Sequence, residues 1–134
     1  MSEESQEIVA SDLVEMDFLE KIAKRLPRDV DTLEALGDLY TRAGRYEDGL
    51  AVDRTLAELE PDDMTIWYNL GCSLALLKKR EDALKALKHA LELGFSDYEW
   101  MSRDPDLNSM REDGEFKRLL KRISSPAPKK KLEA

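Results

Sequence analysis

The stretch EALGDLYTRAGRYEDGL, Glu34 to Leu50, decides the fold. Leu36, Leu39 and Tyr40 recur at helical spacing, yet Gly37 sits among them, where a glycine costs roughly 1 kcal/mol relative to alanine. Gly44 falls where that helix must end and suits a left-handed cap. Gly37 needs a different reason, and the rest of the chain supplies it. Shifted by 34 residues, Leu36-Gly37 falls on Leu70-Gly71, Glu47-Asp48 on Glu81-Asp82, Leu50 on Leu84, Glu58-Leu59 on Glu92-Leu93, Asp63 on Asp97, and Pro27 on Pro61. A glycine repeated at one place in successive helices lets the following antiparallel helix approach closely, with Gly49 and Ala83 as the small residues on the opposing side.

This register resembles the tetratricopeptide repeat family, whose 34-residue helix–turn–helix unit stacks into a right-handed α-α superhelix. The second repeat carries Trp67, Leu70, Gly71 and Ala83, and departs with Leu74 and Leu87 at the aromatic places and Phe95 at the proline. The first carries Leu36, Gly37, Tyr40 and Pro61, and departs with Leu33, Gly49 and Asp53. Asp53 stands at a normally buried place, which predicts packing open to solvent there. The expected fold class is all-α.

The spacing predicts helices over 30–43, 46–59, 64–77 and 80–93, with Asp31–Glu34 and Ser96–Glu99 as capping pairs. A flexible acidic segment is expected over 1–11 and a single domain over 12–123. That domain divides into a leading helix at 12–27, repeats at 30–63 and 64–97, and capping helices at 98–123. Met16, Leu19, Ile22, Ala23 and Leu26 give the leading helix its apolar face. Phe116, Leu119, Leu120 and Ile123 make a final helix that seals the open end of the stack. DPDLNSMREDGEF resembles the closing segment of some bacterial tetratricopeptide proteins. Residues 124–134, proline-rich and basic, read as a disordered tail. Two full repeats are fewer than the three usually needed, so loss of residues 1–27, or of everything after Phe95, is expected to unfold the domain.

Composition sets limits on function. Of 134 residues, 37% are charged and 42% apolar, the balance of a soluble helical protein. The net charge of -8 divides into -11 over residues 1–63 and +3 over 64–134. An acidic half argues against nucleic-acid binding, which gathers lysine and arginine on one face. One cysteine, Cys72, leaves no internal disulfide, and no signal sequence or apolar run near 20 residues is visible, so a cytoplasmic protein without a membrane span is expected. Lys117, Arg118, Lys121 and Arg122 flank the last helix's stripe, but one stripe cannot serve both core and lipid. His89 and Cys72 lack a third, orienting group, Asp62-Asp63 and Asp104/Asp106 read as turn and cap residues, and no metal-ligand spacing or phosphate loop appears. Trp67 and Trp100 read as packing aromatics. No enzyme, cofactor or metal site is expected.

The family resemblance implies a concave groove lined by the first helix of each repeat. Carried onto this chain, the groove residues are Asp31, Glu34, Asp38 and Arg42, then Thr65, Tyr68, Asn69, Cys72 and Leu76. Members that grip the acidic terminus of a chaperone use lysine, arginine and asparagine there, and only Asn69 matches. The expected partner is therefore a protein or peptide segment with basic and apolar character, Tyr68 and Leu76 serving as apolar anchors, held by an adaptor or co-chaperone-like module. The alternative is a homo-oligomer stacked head to tail through its acidic and basic halves.

Overall fold

The computed structural model describes residues 9–124, so the acidic segment before Val9 and the tail after Ser124 lie outside the described residues. Among the described residues seven α-helices follow in order: α1 (Ala10–Arg25), α2 (Val30–Arg42), α3 (Tyr46–Leu59), α4 (Met64–Leu76), α5 (Arg80–Glu92), α6 (Tyr98–Arg103) and α7 (Gly114–Ser124). A 3₁₀ helix, Pro105–Met110, separates the last two. From α1 to α5 each helix packs on its successor, and the 3₁₀ helix lies across α4. The fold is all-α, a helical-repeat superhelix.

Aspartate caps set the period. Asp29 accepts from Thr32 N at the start of α2, Asp63 from Thr65 N and Ile66 N at α4, and Asp97 from Trp100 N at α6. These three carboxylates lie 34 residues apart, each satisfying amides that a helix start leaves bare. The expected caps Asp31 and Ser96 are not the caps: Asp31 lies within the first turn of α2, and Asp97 takes the role at α6. At the first repeat's inter-helix turn Gly44 adopts φ 77°, the left-handed cap its position predicts. One period later Lys78 is forced into the same region at φ 60°.

The two interior glycines differ. A Cβ on Gly71 would lie 2.7 Å from both Cγ and Cδ2 of Leu87, so α5 could not sit where it does beside any larger residue. A Cβ on Gly37 would meet Val52 Cγ1 at 3.4 Å and Asp53 Oδ1 at 3.6 Å, ordinary contact. Asp53 occupies the place in repeat one that Leu87 holds in repeat two, and its Oδ1 stands 3.6 Å from a Cβ built on Gly37.

The C-terminal segment closes the stack with fully buried Met101, Leu107 and Phe116 and with Leu119, while Leu120 and Ile123 pack partly against the same core. At the other end α1 contributes only Met16 as a buried side chain, with Leu19 and Ala23 against the core. Ile22 is half-buried, and Leu26 is exposed, because the helix has already ended at Arg25. Trp67 is partly buried, edge-on to His89 with ring centroids 4.4 Å apart. Trp100, expected as a packing aromatic, is 43% exposed on the short α6.

Candidate functional site: an acid-walled cavity in the groove

The first helices of the repeats, α2 and α4, face a cavity of about 370 Å³ whose back wall is α3. Glu34 and Asp38 line it from α2, Thr65 and Asn69 from α4, all four exposed, with the buried Cys72 behind them. These five predicted groove residues are brought together. The other four are not among its lining. Asp31 is exposed one turn earlier, and Leu76 is half-buried at the far end of α4. Arg42 turns toward α1, its Nη1 donating to Asp12 Oδ2 at 2.9 Å and its Nε 3.4 Å from Asp38.

Tyr68 is not a groove anchor. It is 4% exposed, stacked on Phe95 at 4.3 Å, and its hydroxyl donates to Asp104 Oδ2 at 2.7 Å. The 3₁₀ helix has covered the face of α4 on which it stands. Burial pushes the tyrosine hydroxyl far above its ordinary range, so it serves as a hydrogen-bond donor.

The residues that sequence reasoning missed complete the cavity. Gly37, Thr41 and Asp53 come from α2 and α3, Leu56 and Ile66 add an apolar floor, and Ser73 and Asp106 close it. The repeat pattern predicts Asp53 open to solvent, yet it is 9% exposed. Ser73 Oγ donates to its Oδ2 at 2.5 Å, a bond that ties α3 to α4. Desolvation raises the Asp53 carboxyl to about 6 despite that bond. Asp106 also rises to about 6, first through burial and then through repulsion from Asp104. Both signals were present in the sequence, Asp53 as a departure from the repeat and Asp106 as part of a turn, but only the fold brings them to one wall. No lysine or arginine is among the described residues lining the cavity.

Cys72, Asp104 and Asp106 place ligand-type atoms within 4.8 Å of one another. Their chemistry is that of a structural clasp. Asp104 Oδ2 accepts from Tyr68 and, at 3.6 Å, from Cys72 Sγ, while its Oδ1 accepts from Asp106 N. Burial and then the neighbouring carboxylates push the Cys72 thiol well up, which favours its protonated form. His89 has different company, the Trp67 ring and Glu92.

No family model matches the chain. It is similar to a chloroplastic protein of Arabidopsis thaliana, 28% identical over 110 residues that cover 80% of this chain and 32% of that protein. It is also similar to the CTR9 homolog of Arabidopsis thaliana, 36% identical over 74 residues, 55% of this chain and 7% of that protein. The chain thus spans about a third of the first relative's length and less than a tenth of the second's. Among the described residues, no helix is long and apolar enough to cross a membrane.

Proposed function

We propose that the chain is a tetratricopeptide-type, non-catalytic interaction module, adaptor or co-chaperone-like, whose concave face holds a partner segment of basic and apolar character. One observation carries this reading: the first helices of both repeats open onto a cavity walled by Glu34, Asp38, Asp53 and Asp106. Such a wall repels an acidic tail and attracts a cationic one. Leu56 and Ile66 on the floor take over the apolar role expected of Tyr68, with Leu76 further along α4. The likeness to the CTR9 homolog, weak and confined to a short part of that protein, is in keeping with an interaction role. The short groove implies micromolar affinity, about -8 kcal/mol. The cytoplasm is the compartment read from the sequence, and the chloroplastic relative supports an organelle equally. Affinity capture with the wild type beside a Glu34→Lys, Asp38→Lys double variant tests the reading. Partners lost on charge reversal support it, and an unchanged set of captured proteins overturns it.

Head-to-tail stacking of copies is the second reading. It is favoured by exposed Val14 (70%) and Phe18 (61%) on α1 and by Tyr98 beside Lys117 and Lys121 at the other end. Sedimentation over a range of ionic strength separates the two, because an electrostatic stack dissociates as salt rises.

A further inference from the structure

We infer that α1 is a self-pairing helix: two copies of the chain dock the outer faces of α1 antiparallel about a twofold axis, Phe18 against Phe18 of the other copy and Asp17 opposite its Lys21. This contact is independent of the groove, because no α1 residue is among the described residues lining the cavity. Five of the eight large apolar side chains exposed among the described residues lie on α1 or beside its ends: Val9, Leu13, Val14, Phe18 and Leu26. Val14 at 70% and Phe18 at 61% are the most exposed of them. A terminal unit of a repeat stack ordinarily turns a polar face outward, and α1 does not.

Helical spacing gathers the outer face. Met16, Leu19 and Ala23 pack on the core, and on that side Asp12 accepts from Arg42 and Glu20 from Tyr40. Val14, Phe18, Lys21 and Arg25 recur at i, i+4, i+7 and i+11 on the opposite side, and all four are exposed. Phe18 stands at the middle of this 16-residue helix. The long stems of Lys21 and Arg25 extend the apolar strip beyond the ring.

Charge selects the occupant and its direction. Asp12 and Glu20 are engaged by Arg42, and by Tyr40 and Arg45. The exposed charges that remain on α1 are Glu15 and Asp17 in its first half and Lys21, Lys24 and Arg25 in its second. A second α1 laid parallel sets like charge on like, whereas one laid antiparallel sets each acidic half on a basic half. Asp17 and Lys21 lie on one flank of Phe18, 3.2 Å apart within the chain. A twofold axis level with Phe18 and Leu19 therefore brings each opposite its counterpart in the other copy. The α7 of another copy, with Lys117, Arg118, Lys121 and Arg122, complements the first half of α1 alone. Because one patch serves both sides, the contact closes at two copies. A single pair of helices is small for a specific interface, and a dissociation constant on the order of 10–100 µM is expected.

The test is sedimentation equilibrium of the full chain from about 10 µM to about 1 mM, where a monomer–dimer equilibrium that stops at two is expected. Phe18→Asp should weaken association at least about tenfold, with circular dichroism and melting unchanged because the ring is exposed in the monomer. Asp17→Lys and Lys21→Glu should each weaken it about threefold or more at low salt. An equimolar mixture of these two variants should associate as well as the wild type, since each offers the other the opposite charge at both places. Should Phe18→Asp fail to fold, the charge variants and their mixture still decide. A monomer at every concentration, the result if residues 1–8 or another protein cover the stripe, overturns the inference. So do assemblies that grow beyond two, as head-to-tail stacking gives, a dimer undiminished by Phe18→Asp, or charge variants that mixing does not rescue. Each of these outcomes leaves the groove reading standing, because charge reversal at Glu34 and Asp38 tests that separately.

Discussion

Gly71 and Leu87 touch across the α4–α5 interface so closely that the glycine has no room for a methyl group, whereas Gly37 and Asp53, one period earlier, do. Gly71→Ala gains about 1 kcal/mol of helix propensity but overpacks a fully buried leucine, at a cost of about 1–3 kcal/mol. A net loss of about 1 kcal/mol is expected. Gly37→Ala meets only ordinary contacts and should stabilise by up to about 1 kcal/mol. Paired urea melts of the two variants check the contrast, and equal effects would refute it.

Asp53 should make the protein less stable as pH rises. Its carboxyl is raised from 3.8 to about 6 in the native state, so between those values the folded chain holds a proton that the unfolded chain has released. Stability contributed by the protonated form is present below about pH 4, declines toward pH 6 and stays low above it. Asp53→Asn, which can still accept from Ser73, should gain about 1–2 kcal/mol at pH 7 and nothing near pH 4. Denaturant melts at both values measure the difference.

Lys78 carries a backbone conformation suited to glycine. At φ 60° it occupies the position that Gly44 fills in the first repeat. Lys78→Gly relieves about 1 kcal/mol of strain, less what the added freedom of the unfolded chain costs. A small rise in melting temperature is expected, and a clear fall would contradict the argument.

The two ends of the stack contribute unequally. Cutting after Phe95 removes buried Met101, Leu107, Met110 and Phe116 together with the Tyr68–Asp104 bond. At about 1.5–3 kcal/mol for each side chain, the loss approaches a small domain's whole stability of about 5–15 kcal/mol. Loss of cooperative melting is expected. Deleting residues 1–27 removes one buried side chain, Met16, the Glu20–Tyr40 hydrogen bond and the Asp12–Arg42 bond. Contrary to the unfolding expected from repeat number alone, that truncation should melt lower but still cooperatively, because so little of the core leaves with it, and thermal circular dichroism would show this.

The helical repeat was legible because close packing demands large and small residues at fixed intervals, and Leu36-Gly37 and Leu70-Gly71 meet that demand. The caps were half legible: Asp63 and Asp97 stood in register, and projecting the same interval back to Asp29 would have found the third. Tyr68 was misplaced because helical spacing assigns a residue to a face without saying what covers it. Its cover, Pro105–Met110, is a 3₁₀ helix with no apolar period to read. Asp106 was recognisable as a turn residue, but its place on the cavity wall depends on how that turn folds back over α4. Asp53 was seen as an anomaly; that a hydroxyl on the next helix holds it inside was not visible, because Ser73 lies 20 residues away.

The aspartates at 29, 63 and 97 give each unit the same doorway, a single carboxylate that accepts from the first amides of the helix it opens. A chain built with identical joints can be lengthened by copying the block between two of them, since the duplicate meets a matching joint on either side. Growth of such an array by duplication therefore requires no new solution at the seams, only renewed variation, such as an aspartate for a leucine, in what each unit displays.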